Sequence, residues 1–258
     1  MSKDISLKKG LNINLKGVAD KVYATVLRSE KYVIKPTDFH SLVPKLVVKI
    51  GDKVNAGSVL FFDKYNERIK FTSPVSGEVS EINRGEKRRI LEVVIIPDGE
   101  IKYETFPKGK ANDFSKDEII ENLLNSGVWP FIRQKPFDII ANPSDSPKSI
   151  FISSFNTAPM AADNDFVLHG MEKEFQSGLD IVSKLTDGNV HLNIDGNTNP
   201  SKVFTEAKGV VINRISGLHP SGNVGVQIHH IDPINKGDVI WYLYPQDVIA
   251  ISRLFSMF

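Results

Sequence analysis

The amino-acid sequence predicts an α/β protein in which a small β module precedes an α/β domain with a largely parallel sheet. In residues 22–94, short apolar runs alternate with Gly, Pro, Asn and Asp, which is typical of short strands joined by turns. After a polar connection at residues 97–110, strand-like and helix-like segments alternate along the chain. We therefore divide the chain into residues 1–105 and residues 106–258.

Two segments of the first part carry turn and strand signals in a recognisable order. Residues 49–63 read KIGDKVNAGSVLFFD, and residues 72–91 read TSPVSGEVSEINRGEKRRIL. In each, glycine or proline marks a tight turn, and the apolar run that follows is strand length. The order G-D-x-V-x-x-G-x-x-L, then S-P-x-x-G-x-V, resembles the barrel-sandwich hybrid module of lipoyl and biotinyl domains.

Lys64 is the residue to test for a carrier function, because lipoyl domains present a lysine at the tip of the hairpin between those two segments. Lys64 does follow Asp63 in the usual D-K pair. However, the spacing from Lys64 to Ser73 predicts a lengthened hairpin, and the flanking KYNER lacks small residues. We interpret Lys64 as a solvated turn lysine and keep a lipoyl-type carrier as an alternative.

The second part carries signals for helices and for buried strands. Ser115 followed by Glu118 is a capping box, and Gly127 is placed to end the helix that it starts. Strands alternating with helices favour a Rossmann-like parallel sheet. Further strands are predicted at residues 149–154, 191–194 and 210–212, and further helices at residues 163–185 and 245–258.

Bulk composition excludes several classes of function. The 32 basic and 31 acidic residues nearly cancel, which argues against a nucleic-acid partner. No segment approaches the ~20 apolar residues of a membrane span, and the first residues do not resemble a signal peptide. We therefore expect a chain that has no transmembrane segment and stays on the cytoplasmic side.

The chain has no cysteine. Disulfides, thiolate-held zinc, cysteine-held iron–sulfur clusters and a cysteine nucleophile are therefore excluded on this chain. If the protein takes part in electron transfer, it needs a flavin, a quinone or the cofactors of a partner.

Nucleotide and metal motifs are weak. No glycine directly follows the strand at residues 149–154, and GLHPSGNVG at residues 217–225 has the wrong spacing for a dinucleotide fingerprint. We expect no independent NAD or FAD site and no metal site. Zinc held by histidines with an aspartate remains a hypothesis, with His229 and His230 expected on opposite faces of a strand. Its candidate ligands are His219, His229, His230 and Asp232.

Residues 125–138, NSGVWPFIRQKPFD, interleave aromatic rings with cations. Trp129 and Phe131 precede Arg133 on a stretch stiffened by proline. Such a set suits the binding of an aromatic ring or the anchoring of a partner protein. Packing of the same rings on the protein's own core is the competing interpretation.

Five segments together resemble one protein family. They are GVWPFIRQKPF, IFISSFNTAPMAAD, GLDIVSKLTDGNVHL, SGLHPSGNVGVQIHHIDPI and VIWYLYPQDVIAISRLF. In this order they are similar to the A subunit of the Na⁺-translocating NADH:quinone reductase. Members of that family continue further, so the resemblance implies that a C-terminal part of the full-length protein is absent from this chain.

The resemblance implies a peripheral subunit that supports electron transfer from NADH to ubiquinone or menaquinone, coupled to Na⁺ export. The complex uses NADH, flavins, an iron centre and quinone. We expect none of them to be bound as a cofactor by this chain, and no catalytic residue on it. The implied partners are the other subunits, chiefly the membrane-embedded B subunit. Quinone binding, if this chain assists it, would use Trp129 and Phe131 for stacking and Arg133 for a quinone oxygen.

The family in turn resembles the C subunit of Rnf complexes and the flavin-binding subunit of complex I. Where those relatives have a glycine-rich flavin loop, this chain has Trp129, Pro130 and Phe131, so the flavin phosphate cradle is filled. A free-standing flavin-dependent oxidoreductase on the same scaffold is the remaining alternative.

Overall fold

The computed structural model describes residues 2–17 and 19–256. The strands are β1 Asp4–Leu7, β2 Tyr32–Ile34, β3 Pro44–Leu46, β4 Lys53–Val54, β5 Val59–Asp63, β6 Asn66–Thr72, β7 Gly77–Arg84, β8 Ile90–Pro97, β9 Arg133–Lys135, β10 Ile139–Ile140, β11 Ser149–Ser153, β12 Asn189–Asp195, β13 Val211–Gly217 and β14 Ile240–Leu243. The α-helices are α1 Lys116–Ser126, α2 Asn164–Val167, α3 Glu172–Val182, α4 Lys202–Thr205, α5 Val224–Ile231 and α6 Pro245–Phe255.

The β module consists of two small antiparallel sheets packed on each other. One sheet has the order β2-β8-β7-β4 and the other the order β3-β5-β6. Because strand side chains alternate between faces, the inward positions form a closed apolar layer. This layer includes the fully buried Leu60, Phe61, Val79, Val93 and Ile95.

The hairpin that carries Lys64 is tight, so the predicted lengthening of this hairpin was wrong. Strand β5 ends at Asp63 and β6 begins at Asn66, with Asp63 paired to Asn66. Lys64 and Tyr65 therefore form a two-residue turn, and Lys64 is exposed. The extra residues are taken up by register shifts within the β5–β6 ladder, which act as bulges and leave the turn short.

The α/β domain is built on a seven-stranded sheet of order β1-β13-β12-β11-β14-β9-β10. The strands from β1 to β14 in that order are parallel, and the short strands β9 and β10 add an antiparallel edge. The predicted α/β class with a parallel sheet is confirmed.

The first strand of the chain belongs to this sheet and not to the β module. Strand β1 pairs in parallel with β13, with Asp4 opposite Arg214 and Leu7 opposite Gly217. Residues 1–105 therefore contain one strand that pairs outside the two sheets of the β module. A four-residue strand contains too little pattern to indicate which of two distant sheets it joins.

Helices cover the two faces of the sheet unequally. On one face, α3 and α6 pack over Ile150, Ile152 and Leu243, whereas α5 covers the other face over Phe151 and Ile215. None of the helices in the described residues is long and apolar enough to cross a bilayer.

Two predicted helices differ from the structure. The one expected over residues 163–185 is interrupted between α2 and α3, because Gly170 adopts φ +78°, a left-handed conformation that ends a helical run. The helix expected over residues 245–258 ends at Phe255, and residues 257–258 lie outside the described part.

Helix α1 joins the two parts of the chain. Its capping box forms as predicted, with the Glu118 N–H donating to Ser115 Oγ (3.3 Å) and the Ser115 N–H to Glu118 Oε2 (2.8 Å). At its other end, Thr72 Oγ1 of the β module donates to Ser126 O (3.0 Å). Arg68 of β6 forms an exposed ion pair with Glu121 (2.8 Å). The β module and the α/β domain therefore share a continuous apolar core.

Candidate functional site

The order of the parallel strands defines a point where the connections change direction. From β11 the chain builds β12 and β13 on one side and then returns to place β14 on the other side. In open α/β sheets, ligands bind outside the carboxyl ends of the two strands that flank this switch point. We therefore expect a ligand site, if the fold has one, outside the carboxyl ends of β11 and β14.

Trp129 lies inside the protein. Its side chain has 0% exposure, its Nε1–H donates to Ala141 O (2.8 Å), and its ring packs edge-on against Trp241 (5.4 Å between centroids). The ring thus belongs to the core under the short turn Trp129–Phe131. In this position the ring has no face open to a ligand. The placement of Trp129 agrees with the competing interpretation, packing on the protein's own core.

The other two predicted residues lie on or beside the antiparallel edge strand. Phe131 lies two residues before the start of β9 and is 41% exposed. Arg133 is half-buried, lies opposite Tyr242 in the β9–β14 ladder, and donates from Nη2 to Asp138 O (2.5 Å). We call the polar and aromatic group around this ladder the β9–β14 cluster; its members are Phe131, Arg133, Lys135, Asp138, Tyr242 and Tyr244.

Asp138 is the centre of the β9–β14 cluster. Its Oδ1 accepts a hydrogen bond from the Tyr242 hydroxyl (2.6 Å) and pairs with Lys135 Nζ (3.3 Å), whose ammonium lies 5.3 Å from the Tyr242 ring centroid. Burial opposes ionisation of Asp138, but the Tyr242 hydroxyl and the Lys135 ammonium outweigh it and lower the pKa. Burial and the bond to Asp138 raise the pKa of Tyr242, which therefore stays a hydrogen-bond donor.

The β9–β14 cluster presents aromatic surface next to a fixed cation. Tyr244 is 40% exposed, and its ring packs edge-on against Tyr242 (5.8 Å). Phe137, at the tip of the β9–β10 hairpin, is 75% exposed. Exposed aromatic faces beside a guanidinium can stack on a planar ring and donate to an oxygen on its edge.

Tyr242, Tyr244 and Asp138 are not among the residues predicted from the sequence. The signal was present in IWYLYP, because alternation along a strand places Trp241 and Leu243 on one face and the two tyrosines on the other. The role of Asp138 depends on the fold of the β9–β10 hairpin, and the sequence has no local mark for it.

The histidines are not arranged as a zinc site. His229 and His230 lie on helix α5, so the prediction that they lie on a strand was wrong; both are exposed, with their rings 5.1 Å apart. His219 Nδ1 lies 3.0 Å from Thr157 Oγ1, and Asp232 pairs with Lys148 Nζ (2.6 Å). Within residues 2–17 and 19–256, no group of three or more His, Cys, Asp or Glu is placed to hold a metal ion.

The glycine-containing segment after β13 does not form a phosphate cradle. Asn223 caps helix α5, and its Oδ1 accepts from the N–H groups of Gly225 (2.9 Å) and Val226 (3.4 Å). A bound phosphate would need these two N–H groups to be free to donate to it. The side chain of Asn223 therefore occupies the position that a nucleotide phosphate would take.

The fold and the site together define a two-module protein: a barrel-sandwich β module joined to a Rossmann-like α/β domain whose helix N-terminus after β13 is capped by its own side chain. The chain matches the family model for the NqrA N-terminal barrel-sandwich hybrid domain over residues 5–98. It also matches the model for the NqrA second alpha/beta domain over residues 114–257. The chain belongs to the NqrA family, which confirms the resemblance seen in the sequence.

Individual relatives agree with this assignment. The chain is 35% identical over 252 residues to the A subunit of the Na(+)-translocating NADH-quinone reductase of Marinomonas sp. (strain MWYL1), covering 96% of this chain and 56% of the relative. It is 36% identical over 255 residues to the protein of the same name from Pseudomonas aeruginosa, covering 98% of this chain and 56% of that relative. The chain thus spans about half the length of the curated relatives it matches.

Proposed function

We propose that this chain acts as the A subunit of a Na⁺-translocating NADH:quinone reductase, where it supports electron transfer from NADH to quinone coupled to Na⁺ export. The observation that carries the proposal is the match of both domain families, in order, along almost the whole chain. A chain without cysteine cannot hold an all-cysteine iron–sulfur cluster, so the proposal assigns the flavins and the iron centre to other subunits.

In this proposal the protein is peripheral, on the cytoplasmic side of the membrane, and binds chiefly to the membrane-embedded B subunit. The test is to tag the protein at its native locus and to purify it from mildly solubilised membranes. We expect NADH:quinone reductase activity that rises with Na⁺ to co-purify, and an untagged strain provides the background. A tagged protein that elutes without Na⁺-stimulated activity would contradict the proposal.

The β9–β14 cluster supports a more specific role at the quinone end of the reaction. We place the quinone ring against Phe131, with Arg133 as donor to a quinone oxygen, because Phe131 is exposed and Arg133 is held by Asp138. Trp129, the third residue of the predicted set, acts here through the core by fixing the turn that carries Phe131.

Phe131→Ala tests this role in the assembled complex. Loss of one stacking contact of ~0.5–1.5 kcal/mol corresponds to a KM for quinone raised about 2- to 13-fold. Reduction of an artificial acceptor that takes electrons directly from the flavin should not change. Tyr103→Ala, which removes an exposed ring from the connection between the modules, is the matched control. An unchanged KM for quinone in Phe131→Ala would remove the cluster from the proposal.

A further inference from the structure

A segment near the start of the chain lies on the surface with its apolar side chains in solvent. We call residues 8–31 the N-terminal strap; it connects β1 to β2, and its described residues, 8–17 and 19–31, are all exposed. Six aliphatic side chains of the strap are between 54% and 86% exposed: Leu11, Ile13, Leu15, Val22, Val26 and Leu27. Single exposed apolar residues are ordinary on a protein surface, but a group as dense as this one indicates an interaction surface.

The N-terminal strap is held on the protein at separate points along its length. The Leu11 N–H donates to His219 O (2.9 Å), and the His219 N–H donates to Asn12 Oδ1 (2.8 Å). Further along, the Tyr23 ring stacks on Phe166, with 4.8 Å between centroids. His219 follows β13, and Phe166 lies on α2, which follows β11. The strap therefore crosses the carboxyl edge of the parallel sheet, and its aliphatic side chains stay outside the core.

The first part of the N-terminal strap has the pattern of a strand but no strand beside it. Residues 11–15 read LNINL, in which apolar and polar residues alternate. Among residues 2–17 and 19–256, no backbone carbonyl accepts a hydrogen bond from the N–H groups of residues 12–16. A row of free peptide groups beside alternating apolar side chains is a template for the addition of a strand from another polypeptide segment.

The chemistry of the N-terminal strap limits what can cover it. A lipid surface offers apolar contact but gives the peptide N–H groups no acceptors, which is costly where water is excluded. Residues 8–31 contain six basic and two acidic residues, whereas the whole chain has a net charge of +1. Pairing of strap with strap in two copies would bring like charges together, which opposes it. We therefore expect a different polypeptide, one that supplies both apolar side chains and a strand edge.

The relatives contain such a polypeptide. The 252 matched residues are 56% of the Marinomonas protein, so about 200 of its residues lie outside the match. Because the matched models describe the N-terminal and the second domain of the family, the unmatched part follows them. We propose that the N-terminal strap is the docking surface for the polypeptide that follows the second domain in the relatives, and that a strand of this polypeptide pairs with residues 11–15. The inference rests on membership of the family and is independent of the proposed reductase function.

The test compares hydrogen–deuterium exchange, measured by mass spectrometry, in two proteins. One is this chain alone, and the other is this chain joined to the part of the Pseudomonas aeruginosa relative that follows the match. Covalent joining keeps the effective concentration of the added part high, which favours docking of a sequence from a relative. We expect the amides of residues 11–16 to exchange at least about tenfold more slowly in the fusion than in the chain alone. Residues 86–88, exposed at the tip of the β7–β8 hairpin, supply reference amides that should exchange equally in both proteins.

Ile13→Ser and Ile50→Ser form a matched pair of variants. Each replaces an exposed isoleucine, 66% exposed at position 13 in the strap and 61% exposed at position 50 in the β module. In the fusion, Ile13→Ser should speed the exchange of residues 11–16 at least about threefold, and Ile50→Ser should leave it unchanged. Neither variant should alter the unfolding of the chain alone, because both side chains are already in water there.

Equal exchange of residues 11–16 in the chain and in the fusion would overturn the inference. An effect of Ile50→Ser as large as that of Ile13→Ser would overturn it as well. Two measurements on the chain alone test the other occupants. Protection of the strap that grows with protein concentration would assign it to a second copy, and protection by phosphatidylglycerol vesicles that is absent from the fusion would assign it to a lipid surface.

Discussion

Gly127→Ala tests the junction between the two modules. Gly127 ends α1 with φ +75°, and its N–H donates to Leu123 O and Leu124 O. A Cβ added there would lie 2.4 Å from Thr72 Oγ1 and 2.9 Å from Thr72 Cγ2, on strand β6 of the β module. The substitution therefore strains the helix end and pushes the two modules apart at the same position.

The magnitude follows from three contributions. A left-handed conformation costs an alanine ~1–2 kcal/mol, and the stiffer unfolded chain returns ~0.4–1 kcal/mol of this. Overpacking against Thr72 adds ~1–3 kcal/mol. We expect the free energy of unfolding to fall by about 3 kcal/mol.

Urea unfolding measures this loss, and two further variants separate its parts. Gly209 also has a positive φ (+74°), but an added Cβ would have no neighbour within 4 Å, so Gly209→Ala reports the strain alone, about 1 kcal/mol. Thr72→Ala costs about 1 kcal/mol, because it loses the bond to Ser126 O. It also removes the two atoms that an alanine at 127 would strike.

Gly127→Ala and Thr72→Ala should consequently be non-additive. We expect the double variant to be about 1–2 kcal/mol more stable than the sum of the two single losses predicts. Additive losses would show that an alanine side chain at position 127 does not clash with Thr72. A stability loss in Gly127→Ala no larger than in Gly209→Ala would refute the packing argument.

Three further predictions concern the helix cap, the aromatic turn and a buried histidine. Ser115→Ala removes the cap of α1 and should lower the free energy of unfolding by about 1 kcal/mol in urea; no change would mean that the capping box is not stabilising. Trp129→Ala should cost ~3–5 kcal/mol, whereas Phe131→Ala should cost less than about 1 kcal/mol; comparable losses would contradict the assignment of Trp129 to the core. Burial lowers the pKa of His191 from 6.5 to about 4, so between these values the unfolded chain binds the proton and the folded chain does not. Stability should therefore fall by about 3 kcal/mol as the pH drops from 6.5 to about 4, and His191→Gln should flatten that pH dependence; a slope unchanged in His191→Gln would exclude the histidine as its cause.

The features predicted correctly from the sequence depend on residues close together in the chain. The capping box of Ser115 and Glu118 and the buried strand at residues 149–153 both have signals that lie within a few positions. Strand β1 shows the limit of such signals, because its pairing with β13 joins residues more than 200 positions apart. The prediction of a lengthened hairpin at Lys64 was wrong for a related reason. A count of residues does not distinguish a long loop from a bulged strand.

For the candidate site, the sequence indicated the segment but not which side of it is exposed. Trp129 and Phe131 are two positions apart in one aromatic run, and only the fold places the first against Trp241 and leaves the second in solvent. The same holds for Tyr242 and Tyr244. Alternation separates them from Trp241, but the sequence does not show that α3 and α6 pack on one face and α5 on the other.

The absence of a dinucleotide motif from the sequence is compatible with the strand order of a nucleotide-binding fold, because the two have different physical origins. Phosphate binding depends on glycines and free N–H groups in one turn. Here Asn223 accepts from the Gly225 and Val226 N–H groups at the start of α5, and α6 begins with Pro245, which has no N–H. The switch point depends instead on the strand order β12-β11-β14, which separates the connections that leave β11 and β14 whatever their sequence. Substitutions in the turns can therefore abolish phosphate binding while the strand order stays the same.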